Sequence, residues 1–138
     1  MKYKYVLSFM CVVCMMLNLF SCRQVNKNQE NIYIKQEQSF YSDFKVDDGK
    51  VYVYCTLFIN NTTGNEMNIS LVAFLDDDVK NGLLKESKLD GYSLDLKANT
   101  FQLQKGENQL DVVFVGEHAG GYKKHDRALP NIEIVEME

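Results

Sequence analysis

Lys50-Val51-Tyr52-Val53-Tyr54-Cys55-Thr56-Leu57-Phe58-Ile59-Asn60 is the longest strand signal in the chain, and its reading sets the fold class. Side chains alternate across a strand with a period of two. Val51, Val53, Cys55, Leu57 and Ile59 therefore share one face, and Tyr52, Tyr54, Thr56 and Phe58 the other. Both faces are apolar, which predicts a central strand covered on both sides. Tyr33, Phe40, Tyr41 and Phe44 are the expected cover for the aromatic face, since burial is the default for such rings. If that face is instead exposed, it marks a contact surface for a partner.

Working outward, Asp47-Asp48-Gly49 and Asn60-Asn61-Thr62-Thr63-Gly64-Asn65 read as turns by composition. Ile32-Tyr33-Ile34 opens a first strand, and Phe40, Tyr41 and Phe44 belong to a second. Met67 to Phe74 alternates as a further strand, with Met67, Ile69, Leu71 and Ala73 on one face. Asp76 to Asp90 is less regular, and Leu83-Leu84 suggests a short helical turn there. Tyr92 to Leu96 alternates as a strand. Phe101 to Gln104, Lys105-Gly106-Glu107-Asn108 and Leu110 to Val115 read as a hairpin. A polar loop from Gly116 to Pro130 precedes a last strand, Ile132 to Val135. About seven short strands with turn-rich connections and little helix predict an all-β domain over residues 31–138, a single antiparallel β-sandwich.

The Phe101–Phe114 stretch, of the form F-x-L-x-K-G-E-N with V-x-F following, resembles a late hairpin of immunoglobulin-like extracellular domains. That resemblance implies a sandwich architecture and no immunoglobulin function, because the Cys…Trp…Cys framework is absent. Asp78-Val79-Lys80-Asn81-Gly82-Leu83-Leu84, Val112-Val113-Phe114-Val115-Gly116-Glu117 and Lys124-His125-Asp126-Arg127-Ala128-Leu129-Pro130 are similar to segments of small surface lipoproteins of low-GC Gram-positive bacteria. This second resemblance implies no activity.

The N-terminus supplies an address. Lys2 and Lys4 form a basic start, Tyr5 to Phe20 is apolar, and Leu19-Phe20-Ser21-Cys22 resembles the lipobox of bacterial lipoproteins. As a helix, Tyr5 to Phe20 would span about 24 Å, short of a ~30 Å hydrocarbon core. Residues 1–21 are thus expected to be a signal peptide, cleaved before an acylated Cys22. The resemblance implies a diacylglycerol thioether at Cys22, and two acyl chains anchor stably where one does not. Residues 22–30 are polar and without periodicity, a flexible tether reaching at most about 30 Å. The expected location is the extracytoplasmic face of the cell membrane, with the membrane itself as a partner through the lipid.

Of four cysteines, Cys11 and Cys14 form a CxxC inside the apolar segment, where no thiolate is stable. With Cys22 acylated, Cys55 is the one thiol left, and its strand-like setting predicts a small buried core residue. The 138-residue chain has 15 basic and 19 acidic residues. That balance argues against a nucleic-acid partner. A single proline excludes a proline-rich stalk.

Candidate chemistry is thin. Asp76-Asp77-Asp78 offers carboxylates for a hard cation but lacks the spacing of a calcium loop, so it reads as a solvated acidic loop with an N-cap. Glu117, His118, His125 and Asp126 have zinc-ligand chemistry without a zinc spacing. Arg127 can pair with a loop carboxylate instead. Ser39, Ser42, Ser70, Ser87 and Ser93 lie in no G-x-S-x-G elbow. No enzyme activity, metal or cofactor is expected. The expectation is a binding module for a protein, peptide or envelope ligand, contacting it through loops 76–90 and 116–129, with Asp76, Asp77, Asp78, Glu117, His118, Tyr122 and His125 as candidates. A small metal-dependent enzyme using the 117–126 loop, or a structural component of an envelope complex, is the alternative.

Overall fold

A computed structural model describes residues 31–121 and 126–137. The signal segment 1–21, Cys22, the tether 22–30, Tyr122 and His125 lie outside them. Among the described residues eight strands run in the order β1 Ile32–Ile34, β2 Phe40–Asp47, β3 Lys50–Asn61, β4 Met67–Phe74, β5 Lys88–Ser93, β6 Phe101–Leu103, β7 Gly106–Glu117 and β8 Asn131–Met137. One helix among the described residues, α1 Asp76–Lys80, follows β4. Every strand pairing is antiparallel. The all-β class expected from the alternation holds.

Two ladders share one strand. β3 is flanked by β7 on one side and by β1 and β2 in succession on the other; β4 is flanked by β8 on one side and by β5 and β6 on the other. The first half of β5, Lys88 to Asp90, pairs with β4, and the second half, Gly91 to Ser93, pairs with β7. The eight strands thus form one continuous sheet that wraps a single core. Val51, Val53, Cys55, Leu57, Val112 and Phe114 come to that core from the first ladder, and Ile69, Leu71, Leu103 and Ile132 from the second. A side chain at Gly91 has no room where β5 changes ladders: its Cβ would lie 2.9 Å from Val112 Cγ1 and 3.2 Å from Leu71 Cβ.

Several local expectations change. Phe101–Leu103 and Gly106–Glu117 are not a hairpin, because β6 pairs with β4 while β7 pairs with β3 and β5. The connection crosses from one ladder to the other, with Gly106 at φ +82°. The Asn108 amide nitrogen donates to the Gln104 and Gly106 carbonyls at 2.9 Å each, while its oxygen accepts from the Gln104 N–H at 2.8 Å. The turn's polar groups are met by a side chain rather than by a facing strand. The strand expected at Tyr92–Leu96 lies earlier, at Lys88–Ser93. Asp95 accepts from the Ser93 hydroxyl and the Lys97 N–H, and Leu96 takes φ +61°, so the chain turns there. The helical turn falls at Asp76–Lys80, and Leu83 and Leu84 are buried beyond it, Leu84 in an isolated antiparallel bridge with His118.

A β-bulge decides where the aromatics go. The β2–β3 register shifts between Tyr41 and Asp43, which leaves Ser42 as an extra residue. Tyr41 then faces Cys55 and Phe44 faces Val53, both on the core side, while Phe40 faces Thr56 on the outer side. In the interval between β1 and β2, the Ser39 hydroxyl accepts from the Phe58 N–H at 2.9 Å, where a strand partner is missing.

Candidate functional site

The loop end of the sheet is held by a buried ion pair. α1 carries three consecutive aspartates, and only the third turns inward. Arg127 Nη1 donates to Asp78 Oδ2 and Nη2 to Asp78 Oδ1, both at 2.8 Å, with the two side chains 11% and 5% exposed. The guanidinium carbon lies 4.2 Å from the Phe44 ring centroid, a cation–π contact. The Asp78 backbone carbonyl accepts from the N–H groups of Leu83 and Leu84. Asp78 is therefore not part of a solvated loop. Its carboxylate oxygens are both engaged by arginine, a fork-to-fork pairing that leaves little for a cation. The expected N-cap is absent as well, since α1 has no side-chain cap hydrogen bond. Asp76 and Asp77 are exposed, as the sequence reading has them, and Asp77 meets Lys80 at 3.3 Å. A cavity of about 400 Å³ beside the pair is lined by Tyr41, Phe74, Asp78, Arg127 and Leu129 among others.

In the described part of the 117–126 loop, Glu117 and His118 are each engaged by neighbouring groups. Lys85 Nζ donates to Glu117 Oε2 at 2.7 Å and holds that carboxyl below the usual carboxylate range. His118 Nε2 lies 2.9 Å from the Gly121 carbonyl oxygen, and the His118 N–H donates to the Gly49 carbonyl. Among the described residues no group of three His, Cys, Asp or Glu side chains could hold a metal ion. Asp126 is exposed. The loop candidates thus split: Asp78 serves the interior, Glu117 and His118 tie the loop to its neighbours, and Asp76 and Asp77 remain on the surface.

A larger feature lies on the outer side of β3 and β7. Residues opposite one another in an antiparallel ladder share a face. Tyr52 is level with Lys45 and Val115, Tyr54 with Asp43 and Val113, Thr56 with Phe40 and Asp111, and Phe58 with Gln109. Tyr92 adds to the Val113 row and Tyr33 stands opposite Asn60. The expectation that Tyr33, Phe40, Tyr41 and Phe44 layer over this face fails. The bulge sends Tyr41 and Phe44 to the core, and Tyr33 and Phe40 stand beside the other aromatics, 40% and 50% exposed. Tyr52, Tyr54 and Phe58 are half-buried. Val113 is fully buried although it faces outward, because Tyr54 and Tyr92 stand on either side of it. Polar groups are threaded between the rings: Thr56 Oγ1 donates to Asp111 Oδ1 at 2.7 Å, and Asn60 Nδ2 donates to the Tyr33 hydroxyl at 2.9 Å. A hollow of about 350 Å³ at one end is bordered by Tyr52, Tyr92, Leu96 and Val115.

Sequence reasoning reached the residues of this face but not its exposure. The signal was the spacing in Phe40-Tyr41-Ser42-Asp43-Phe44, where one face cannot hold both Tyr41 and Phe44 without an extra residue. Comparison with known proteins adds no assignment: no family model, curated protein or solved structure matches the chain.

Proposed function

We propose that the chain is a membrane-anchored extracytoplasmic lipoprotein whose β-domain is a non-enzymatic binding module for a protein, peptide or envelope ligand. The anchor reading rests on the basic start, apolar segment and Leu19-Phe20-Ser21-Cys22 of the sequence. In this proposal the two ladders correspond to the sheets of an immunoglobulin-like sandwich, with β5 shared between them.

The observation that carries the binding role is the aromatic outer face of β3 and β7. Exposed aromatic rings among polar groups are the composition of recognition surfaces, where tyrosine contributes large contact area at low conformational cost. A photo-crosslinking residue in place of Phe40 in the membrane-bound protein is expected to form a discrete adduct, and one in place of Asp77 is not. Equal adducts from both positions would remove the face from the proposal. Fatty-acid labelling with membrane fractionation tests the anchor: Cys22→Ser should lose label and membrane association together, and unchanged labelling refutes the acylation.

A further inference from the structure

The edges of the sheet contain a second surface, which adjoins the aromatic face at Tyr33. Among the described residues β1 pairs only with β3, and β8 pairs only with β4. Each leaves one edge of backbone N–H and C=O groups without a strand partner. These two edges border a common groove of about 500 Å³, within the size range of ligand sites. Ile32 and Ile34 line it from β1, and Ile132 and Ile134 from β8. Ile32 and Ile132 are also members of the core, so the floor of the groove is the edge of the hydrophobic interior.

The rim is acidic. Glu133 and Glu136 line the groove from β8, both exposed and neither in an ion pair among the described residues. Glu136 stands opposite Ile69, which is fully buried, so it continues the inward phase of Ile132 and Ile134. An inward carboxylate on an edge strand opposes self-pairing, because joining two β8 edges would bring the glutamates of both copies onto one short ladder. The same carboxylates favour a strand bearing the opposite charge. The edge is selective rather than closed.

We propose that this groove binds an extended peptide of alternating apolar and basic residues, which adds to the free edge of β8 as a further strand. Its backbone hydrogen-bonds to β8, its apolar side chains lie on the four isoleucines, and its cations, on the other face of the added strand, meet Glu133, which is out of phase with Ile132 and Ile134. Antiparallel pairing along Asn131–Met137 would accommodate about seven residues.

The test uses the full chain in non-ionic detergent and a fluorescent synthetic peptide of about seven residues alternating valine and lysine. Anisotropy should show saturable binding, weakened about tenfold or more in the double variant Glu133→Lys/Glu136→Lys and unchanged in Tyr54→Ser, which alters the aromatic face. A peptide of the same sequence carrying backbone N-methyl groups keeps its charge and loses its donors, and should bind at least tenfold more weakly to the unaltered protein. Equal binding of the N-methylated peptide, or of a valine–glutamate peptide, overturns the proposal. So does the absence of saturable binding. Binding lost in Tyr54→Ser and retained in the double variant would also overturn it, while leaving the binding role of the aromatic face standing.

Discussion

The two faces of β3 have the same neighbours in the ladder and opposite fates. Val51, Val53, Cys55, Leu57 and Ile59 are at most 1% exposed, packed against Ile69, Leu71 and Leu103 from the second ladder. Tyr52, Tyr54 and Phe58 are half-buried, with no second layer over them among the described residues. Hydrophobicity does not separate the sets, since tyrosine and phenylalanine have more apolar surface to hide than valine. What separates them is topology: β5 carries the second ladder round to one side only. The inner face is thus expected to set stability and the outer face recognition, and each substitution below tests that division.

The largest effect should come where the inner face is closed off. Arg127 lies over Phe44, which stands level with Val53 on the core side, and is held there by Asp78. Asp78→Ala strands a buried guanidinium and should cost ~3–5 kcal/mol in urea denaturation. Adding Arg127→Met to the same chain should return much of that loss, because the unpaired charge goes with it. A single-variant cost below about 1 kcal/mol would mean that the pair does not hold this end of the core.

Leu57→Ala comes next. Leu57 is fully buried against the opposite ladder, and truncation should cost ~2–5 kcal/mol.

Cys55 offers a gentler probe of the same face. Burial pushes its thiol from an ordinary 9.0 up to about 12. Between those values the unfolded chain has released a proton that the folded protein keeps, so stability falls as pH rises. The slope is about 1.4 kcal/mol per pH unit at its steepest, and the contribution is flat below the ionisation of the unfolded thiol. Denaturation of wild type and Cys55→Ala across the alkaline range should therefore show the wild-type advantage shrinking, with other titrations cancelling between the two. A constant difference would mean that the thiol meets water in the folded state.

How far the sequence could be read follows from what alternation encodes. It reports phase, so the inward set of Lys50–Asn60, the strand at Met67–Phe74 and the burial of Cys55 are all legible. Partners are another matter. Phe101–Leu103 and Gly106–Glu117 have compatible phases and both feed the core, yet they join different ladders, because Asn108 satisfies the turn between them. The bulge at Ser42 is a single extra residue, enough to put Tyr41 and Phe44 on the same inward face of β2 while Phe40 stays outward. Asp76, Asp77 and Asp78 are chemically identical, and only the phase of a five-residue helix chooses which one meets Arg127. That Arg127 would pair with a loop carboxylate was legible in kind, while the identity of the carboxylate was not. The groove between β1 and β8 left no trace in the sequence, because it is made by two strands from opposite ends of the domain.

The smallest expected effect is the sharpest test of the comparison. Phe58 is the immediate neighbour of Leu57, lies on the outer face and stands opposite Gln109. Phe58→Thr keeps a strand-compatible residue, so what it removes is the ring and its cross-strand contacts. Such contacts contribute about 0.2–1 kcal/mol, well below the cost of Leu57→Ala. The measurement is the difference between two adjacent substitutions in one denaturation series. If Phe58→Thr destabilises the full chain as much as Leu57→Ala, the outer face is a second core already packed against a segment of the chain, and recognition must be sought elsewhere on the domain. If it costs under about 1 kcal/mol yet abolishes the crosslinked adduct at Phe40, the ring acts in contact with a partner rather than in folding.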